Sequence, residues 1–418
     1  MTNPPQREHP VPSRQPQKKI ITPPPRVRLV SPPPKKPKAG AIAASIAALI
    51  MLMILFSTPI GGIFFNMARY PYINQFPATA RFEVMRSITI TSSGGSFTID
   101  LPKAPVISSE GGGFVQNVKS FSTVPTATES TRYNSWTWLT FNRYVSGTET
   151  FSIDYTVETR TLQWDITAAD SGMPGDIPQT YKSKYLGREW LGSNGLFKID
   201  PQNKVIQDKA LEVSKDVPTV YEKLEKIYFF LQGSYKYQQG SIGQEPKDAL
   251  TTYNTGTGDC DEVSFLLVSM LRSVGIPAWV EFGMLYDEIR NTWVGHAWVQ
   301  MYIPLVSGGG YIVNLDPVNY QFLFRSANRL TEWIEDGNGE HLKEFYEYIT
   351  YVSSSTPSIT TKIEGFSYST EGTVFMQDKS REIKYIDAPG FGETIVACVS
   401  AFILMSVVNL MRIKRGSD

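Results

Sequence analysis

Two uncharged apolar runs lie near the two ends of this 418-residue chain and divide it into three parts. The first run, 41–65, is longer than the roughly 20 residues that a helix needs to span a bilayer core. The second run, 394–411, is shorter and is followed at once by the basic segment 412–415. Because both runs lie beside basic clusters, the sequence predicts two transmembrane helices rather than two buried core helices.

The net charge of zero hides an uneven distribution along the chain. Residues 1–40 carry +8, residues 412–418 carry +2, and residues 41–411 carry −10. Basic flanks of membrane helices stay in the cytoplasm. We therefore expect a two-pass protein of the cell membrane, with both termini cytoplasmic, 412–418 as a short basic tail and the main domains extracytoplasmic. The acidic middle argues against nucleic acid as a partner.

The N-terminal segment 1–40 holds twelve of the 28 prolines. A segment of this composition cannot bury enough apolar surface to fold, so we expect a disordered cytoplasmic tail. It could serve a polyproline-binding partner, although a solvated tail that fixes the topology is the simpler interpretation. Since some forty polar residues precede the first apolar run, that run is expected to be an anchor rather than a cleaved signal peptide.

Residues 71–165 have the pattern of strands. Phe97, Ile99 and Leu101 alternate with polar residues, as do the apolar residues of 151–157. Short runs of period two separated by glycine-rich turns favour a β-sandwich domain. The segment holds three tryptophans, Trp136, Trp138 and Trp164. They could form a carbohydrate-binding face, although such rings more often pack in a core or at an edge.

The hydrophobic period changes near residue 200. A helix is expected from Asp216, with Pro218 in its first turn, and a second over 259–274, followed by strands to about residue 318. The sequence thus predicts an α+β domain over 166–345. The Ser/Thr-rich segment 346–388 is either a stalk or a set of added strands.

One cysteine of the outer part stands at the start of the second helix. Asp259 is a good N-cap residue, so Cys260 falls in the first turn, and Gly275 and Pro277 end the helix. Free amides and the helix dipole at this position favour a thiolate, and they can also hold an oxyanion. A buried core cysteine is the alternative interpretation, yet a lone thiol in an external domain is a candidate nucleophile.

A nucleophilic cysteine needs a base, and the outer part offers two histidines. His341 lies in an acidic, helix-like stretch and has the pattern of a surface residue. His296 lies on a predicted strand that a glycine-rich turn connects to a second strand ending in Asp316. The hairpin places the Asp316 carboxylate near His296, where it could orient the imidazole. The sequence alone does not fix the register to one residue.

Residues 245–320 resemble the core of the transglutaminase-like superfamily, a papain-like cysteine fold. The residues that carry this resemblance are Gly258-Asp259-Cys260, Leu271-Arg272, Gly275-Ile276-Pro277-Ala278, His296-Ala297-Trp298 and Asp316-Pro317. The resemblance implies Cys260 as nucleophile, His296 as general base and acid, and Asp316 as the residue that orients the imidazole. Two residues depart from the family pattern, Trp279 and Val318, and both are expected to alter the substrate pocket.

The C-terminus has a resemblance of its own. Pro389-Gly390-Phe391, the apolar run and the basic end resemble an archaeal Pro-Gly-Phe sorting tail. This implies a protein of the archaeal cell envelope whose tail is cut and replaced by a lipid. A plain second transmembrane helix is an equal alternative.

The expected fold is therefore α+β: a papain-like transglutaminase core, preceded by an all-β sandwich and flanked by two transmembrane helices. The expected function is thioester acyl transfer on amide bonds of a protein or peptide in the cell envelope. Hydrolysis by a peptidase or amidase is ranked slightly above crosslinking by a transglutaminase. A non-catalytic binding protein or a structural envelope protein on the same fold is the alternative. No metal or other cofactor is expected.

Overall fold

The structure is a computed structural model, and it describes residues 75–109, 113–133, 135–240, 245–288 and 290–376. Five segments discussed above lie outside these described residues: 1–40, 41–65, the Pro-Gly-Phe motif at 389–391, 394–411 and 412–418. The two expected transmembrane helices are among them. Within the described ranges, no helix is both long enough and apolar enough to cross a membrane.

Strands make up most of the regular structure in these ranges. In chain order they are β1 Gln75–Pro102, β2 Ile107–Ser108, β3 Phe114–Val124, β4 Thr128–Arg132, β5 Trp136–Arg160, β6 Leu162–Gln163, β7 Glu189–Leu191, β8 Phe197–Ile199, β9 Lys236–Tyr237, β10 Thr257–Gly258, β11 Ala278–Asp287, β12 Thr292–Pro304, β13 Gly310–Asp316, β14 Gln321–Phe322, β15 Phe324–Arg325, β16 Arg329–Ile334, β17 Ile349–Ser353 and β18 Ser358–Phe375. The α-helices are α1 Gln179–Tyr185, α2 Lys204–Val213, α3 Val220–Ser234, α4 Ala249–Thr255, α5 Cys260–Ser273 and α6 Gly339–Tyr346. A 3₁₀ turn spans Pro174–Asp176.

The β-rich part is one sheet of seven strands in the order β17-β1-β5-β3-β2, with β18 also paired to β1 and β4 to β5. Its two central strands are long and bent. Phe141 and Phe151 both lie on β5, yet their ring centroids are 5.6 Å apart, whereas ten residues of straight strand would span about 33 Å. The strand folds over near Gly147, whose φ of +97° suits glycine. The two halves of the sheet therefore face each other as two layers, built from long bent strands rather than the short ones that the sequence predicts.

Residues from beyond the α+β domain complete this sheet. Both β17 and β18 pair antiparallel with β1, and the outermost pair joins Gln75 to Phe375. Of the two alternatives for 346–388, the structure thus has added strands over 349–353 and 358–375. Trp138 is fully buried, so it cannot belong to a carbohydrate-binding face. Trp136 and Trp164 are partly buried and pack against the hydrophobic core of the α+β part.

The α+β part is built on a second, five-stranded antiparallel sheet in the order β14-β13-β12-β11-β16. Helix α5 packs against β11 and β12, with α2, α3 and α4 around it. Residues 262–272 of α5 are all buried, so the helix is central rather than amphipathic. Its two interior serines, Ser264 and Ser269, donate to the carbonyls of Cys260 and Phe265 at 2.6 and 2.7 Å, which satisfies their hydroxyls.

The start of helix α3 differs from the prediction. The helix begins at Val220, and Thr219 is its N-cap in a capping box with Glu222. Asp216 adopts a φ of +63°, so it cannot open a right-handed helix. Pro218 therefore precedes the helix instead of lying in its first turn.

Strand β16 joins the two parts of the molecule. The buried Gln116 of β3 donates to the carbonyl of Thr331 at 2.8 Å and accepts from its N–H at 2.7 Å. Arg86 of β1 donates through Nε to Glu332 at 3.0 Å. Because β16 also pairs with β11, contacts from both sheets hold it in place.

Candidate active site

Cys260 is the first residue of helix α5, and the helix start has the cap that the sequence predicts. Asp259 accepts the N–H of Glu262 at 3.3 Å, and Glu262 accepts the N–H of Asp259 at 3.2 Å. This capping box ends the loop sharply and directs Cys260 toward β12, on which α5 packs. The side chain is half-buried.

His296 and Asp316 lie on the neighbouring strands β12 and β13. The antiparallel register, with Gln300 opposite Asn314, brings the end of β13 beside the first half of β12. Nε2 of His296 lies 2.7 Å from Oδ2 of Asp316. His296 is 8% exposed and Asp316 is fully buried. The hairpin therefore brings together the two residues that the sequence paired.

The helix that begins with Cys260 packs on the histidine strand β12. The backbone N–H of Ala297, the residue after His296, acts to lower the pKa of the Cys260 thiol. Since Nε2 of His296 is engaged with Asp316, Nδ1 is the ring nitrogen that remains for proton exchange with a neighbour. His296 and Asp316 are thus in contact, and the helix that begins with Cys260 packs on the strand of His296.

The charge state of the thiol differs from the expectation. Burial raises the pKa of Cys260 well above its usual value, and the carboxyl groups of Asp261 and Asp259 raise it further. The helix terminus was expected to favour the thiolate. However, the cap carboxylate of Asp259 takes the first-turn N–H of Glu262, and acids flank the sulfur on both sides. Burial and the two flanking acids therefore raise the pKa of the thiol, whereas the helix terminus alone would lower it.

The flanking acids are themselves held in place. Burial, together with the neighbouring Asp261 carboxyl, raises the pKa of Asp259 to about 7. Asp261 accepts a hydrogen bond of 2.6 Å from Tyr346 at the end of α6. Asp259 also accepts the N–H of Gly240 at 3.2 Å.

Two residues of the site were missed in the sequence. The amide of Asn319 lies 2.8 Å from Oδ2 of Asp316 and 3.0 Å from Nε2 of His296. Arg329, fully buried on β16, donates to the same Oδ2 at 2.5 Å. The turn sequence after Asp316 could have indicated Asn319, because such turns commonly bond the aspartate to the residues that follow it. Arg329 gave no signal, since nothing local relates it to Asp316.

The carboxylate of Asp316 is saturated with donors. In addition to these contacts, its Oδ1 accepts the N–H groups of Val318 and Asn319 at 3.1 and 3.0 Å. The charges of His296 and Arg329, together with these bonds, hold the pKa of the Asp316 carboxyl far below its usual range in spite of its burial. Asp316 is therefore ionised at any physiological pH.

The second histidine, His341, lies outside the site that contains His296. His341, on α6, stacks on Tyr133 of the β-rich part with ring centroids 3.7 Å apart. Its Nδ1 lies 2.9 Å from a carboxylate oxygen of Asp336. It is partly buried between the two parts of the molecule rather than a free surface residue.

A small cavity adjoins the site. It is lined by Leu231, Gln232, Tyr235, Lys236, Tyr237, Val263, Pro317, Val318 and Tyr320. Val263 is one helical turn beyond Cys260, and Pro317 and Val318 follow Asp316, so the cavity wall includes neighbours in sequence of two candidate residues. Of the two residues that depart from the family pattern, Val318 lines this cavity. Trp279 is instead buried, stacked on Tyr185 with ring centroids 4.3 Å apart.

Among the described residues, no three side chains of histidine, cysteine, aspartate or glutamate come together in a way that could hold a metal ion.

The α+β part thus has a buried cysteine-bearing helix packed on an antiparallel sheet, and that sheet carries the histidine–aspartate pair. The family model described as the transglutaminase-like superfamily matches residues 207–317, which include Cys260, His296 and Asp316. This part of the chain is a transglutaminase-like domain.

Known proteins similar to this chain share a limited part of it. The uncharacterized protein YebA of Bacillus subtilis (strain 168) is 25% identical over 118 residues, which are 24% of this chain and 16% of that protein. A candidate cysteine protease from Cytophaga hutchinsonii is similar in structure over 72% of this chain and 100% of its own, with 16% identity and a TM-score of 0.48. The periplasmic domain of TgpA from Pseudomonas aeruginosa matches 58% of this chain and 87% of its own, with 13% identity and a TM-score of 0.28. Likenesses of this size assign no activity.

Proposed function

We propose that the chain is a cysteine enzyme of acyl transfer, with Cys260 as nucleophile, His296 as general base and acid, and Asp316 as the residue that orients the imidazole. The observation that carries the proposal is the contact set at the helix start. Cys260 lies in the first turn of α5, which packs on β12, the strand of His296, and His296 lies 2.7 Å from Asp316. A nucleophile, a base and a group that orients the base are the parts that such catalysis requires.

In the proposed reaction the Cys260 sulfur attacks the carbonyl carbon of an amide. His296 takes the thiol proton through Nδ1 and then delivers it to the leaving amine, which leaves a thioester on Cys260. Water or a second amine then attacks the thioester and regenerates the thiol. We rank hydrolysis of a protein or peptide slightly above crosslinking, as the sequence resemblance implies.

Anchoring to the membrane is part of the same proposal. The apolar runs 41–65 and 394–411, each beside basic residues, support a two-pass protein whose enzyme domain faces the cell envelope. The substrate would then be an extracytoplasmic protein or peptide.

One observation favours the alternative of a non-catalytic binding or structural protein. Burial and two neighbouring carboxyl groups raise the pKa of the Cys260 thiol, which lowers the nucleophilicity of the resting group. An enzyme with such a thiol depends on its base at the moment of attack, whereas a binding protein has no need of one.

Labelling with a thiol-directed acyl probe separates the two functions. The chain has two cysteines, Cys260 and Cys398, so Cys398→Ala is a matched control that leaves only the candidate nucleophile. We expect Cys398→Ala to form a thioester and turn it over, and Cys260→Ala to form none at this site. If the folded Cys398→Ala protein forms no acyl-enzyme with any of a panel of peptide esters and amides, the enzymatic proposal is wrong.

A further inference from the structure

The small cavity described above is bounded by chain segments that adjoin both Cys260 and Asp316. Strand β9, which carries Tyr237, pairs with β10, and β10 ends two residues before Cys260. Val263 follows Cys260 by one helical turn, and Pro317 follows Asp316. Burial raises the pKa of the Tyr237 phenol and a charge on Cys260 acts in the same direction, so the two groups are close enough to interact. The cavity therefore borders the candidate active site.

The polar side chains of the cavity wall offer hydrogen-bond donors. Gln232 lines the cavity, and its Nε2 is buried without a hydrogen-bond partner in the part of the chain that the structure describes. A buried donor of this kind destabilises the protein unless a bound group supplies the acceptor. Lys236 adds a cation to the same wall, and Tyr237 and Tyr320 add phenol groups. The wall is therefore suited to a group that accepts hydrogen bonds.

Carboxyl groups are missing from the cavity wall. None of the nine residues that line it is an aspartate or a glutamate. Two acids, Asp259 and Asp261, act on the pKa of Tyr237, but each of them has a partner elsewhere. Asp259 accepts the N–H of Gly240 at 3.2 Å, and Asp261 accepts the hydroxyl of Tyr346 at 2.6 Å. Acids of the protein therefore do not occupy the donors of the wall.

The size of the cavity limits the group that it can hold. Its volume is about 40 Å³. Since one water molecule needs about 10–15 Å³ of such space, the cavity admits a group of about three heavy atoms. A carboxylate has this size, and both of its oxygens accept hydrogen bonds. A carboxamide has the same size, but its NH₂ group needs an acceptor on a wall that offers mainly donors.

We propose that this cavity binds a carboxylate group of the substrate, and that Gln232 and Lys236 are the residues that select it. This inference rests on the proposed function, because it names the class of peptide on which Cys260 would act. The carboxylate comes from an acidic side chain of the peptide or from its C-terminus. It supplies an acceptor for the Gln232 amide and a counter-charge for Lys236. The preferred substrate is then a peptide with a carboxylate near the amide that is attacked.

The test is the ratio of kcat/KM for pairs of octapeptides that differ only in Glu or Gln at one of the two positions on either side of the cleaved amide. Each pair is made with a free and with an amidated C-terminus, so the two sources of the carboxylate are separated. We expect the carboxylate form to be preferred about tenfold at one of these places. Equal kcat/KM within every pair, with either kind of terminus, overturns the proposal.

Variants of the cavity wall show whether the named residues select the carboxylate. Lys236→Met removes the cation, and Gln232→Glu replaces the amide with a negative group of nearly the same shape, so each should abolish the preference. Lys236→Arg should keep it. Lys226→Met is the matched control, because it removes the same charge from an exposed residue of α3 that does not line the cavity. A preference that survives in Lys236→Met and Gln232→Glu contradicts the proposal.

Binding to Cys260→Ala separates this inference from the proposed function. That variant cannot form a thioester, so calorimetric titration with the same peptide pairs measures the preference without turnover. Tighter binding of the carboxylate peptides supports the cavity site, even if the parent protein forms no acyl-enzyme and the enzymatic proposal fails. Turnover by the parent with equal binding and equal kcat/KM within the pairs refutes the cavity site and keeps the enzyme. Peptides that are neither bound nor cleaved contradict both proposals.

Discussion

Each side chain of the candidate triad has a different role, so the effects of removing them should differ. Cys260→Ala removes the only group that can form the thioester, and acyl-enzyme should vanish. His296→Ala leaves the thiol without its base, so turnover should fall about 10²–10⁴-fold while slow labelling of Cys260 persists. Burst and steady-state kinetics with an ester substrate measure both. Equal loss of labelling in the two folded variants would contradict these roles.

Asp316 has a structural role beside its chemical one. Asp316→Asn leaves Arg329 as a buried cation without its carboxylate, and breaking a buried ion pair in this way costs about 3–5 kcal/mol. We therefore expect a fall of that size in the free energy of unfolding, measured with denaturant. The double variant Asp316→Asn/Arg329→Met should recover part of it. If Asp316→Asn is as stable as the parent, the pair does not hold the domain together.

The carboxyl groups beside Cys260 give a pH prediction. Asp261 raises the pKa of the thiol, so Asp261→Asn removes a negative charge near the sulfur and should lower that pKa. Alkylation of Cys260 should then begin at lower pH and run several-fold faster near pH 7, by the relation of tenfold to one unit. Tyr346→Phe, which removes only the hydrogen bond to Asp261, is the control and should not lower the pKa. A profile unchanged by Asp261→Asn would show that the acid does not set the thiol's charge.

The sequence predicts the residues of the site better than its electrostatics. Cys260 at a helix start follows from a local cap, and the pairing of His296 with Asp316 follows from a hairpin of adjacent strands. Arg329 is thirteen residues from Asp316 in sequence and lies on a strand that pairs with β11 rather than with β13. No periodicity or motif reports such a contact. The thiol's raised pKa was missed because burial is a property of the packed domain.

At the level of elements, Gly283 determines how β11 and β16 pair. The register between them shifts at Phe282/Gly283, and a Cβ at 283 would lie 1.8 Å from the carbonyl oxygen of Leu330. Since β16 carries Arg329, Gly283→Ala should displace that residue and cost about 3 kcal/mol or more of unfolding free energy. Gly295→Ala on the neighbouring β12 is the matched control, because a Cβ there meets nothing within 4 Å. Thermal unfolding of both variants checks this, and equal melting temperatures would contradict it.

Elements with local start and stop signals were predictable, and those shaped by distant contacts were not. Helix α5 was expected over 259–274 and spans Cys260–Ser273, since a cap and a glycine–proline end mark it. The predicted start of α3 at Asp216 was wrong, because the backbone there is left-handed and Thr219 is the N-cap of the helix. The length of β1 and β5 was missed, since the sheet bends at glycines that in sequence have the pattern of turns between short strands.

For the whole molecule, the paired basic flanks predict that 71–388 faces the outside of the cell and that both ends face the cytoplasm. Protease added to intact cells should degrade the domain and spare an N-terminal epitope tag. Cells opened by detergent, in which the tag should be lost too, are the control. A domain that resists protease in intact cells and is cut only after lysis would refute this topology.

The pairing of Gln75 with Phe375 has a mechanical consequence. These two residues lie at adjacent ends of two antiparallel strands, β1 and β18. Tension applied through the two flanking segments would therefore separate these strands like a zipper, one ladder hydrogen bond at a time, instead of shearing all of them together. The sheet should therefore begin to unfold at low force, from the end of the β1–β18 pair at which Gln75 and Phe375 lie. The transglutaminase-like domain, whose strands lie outside the pulled pair, should keep its structure longest.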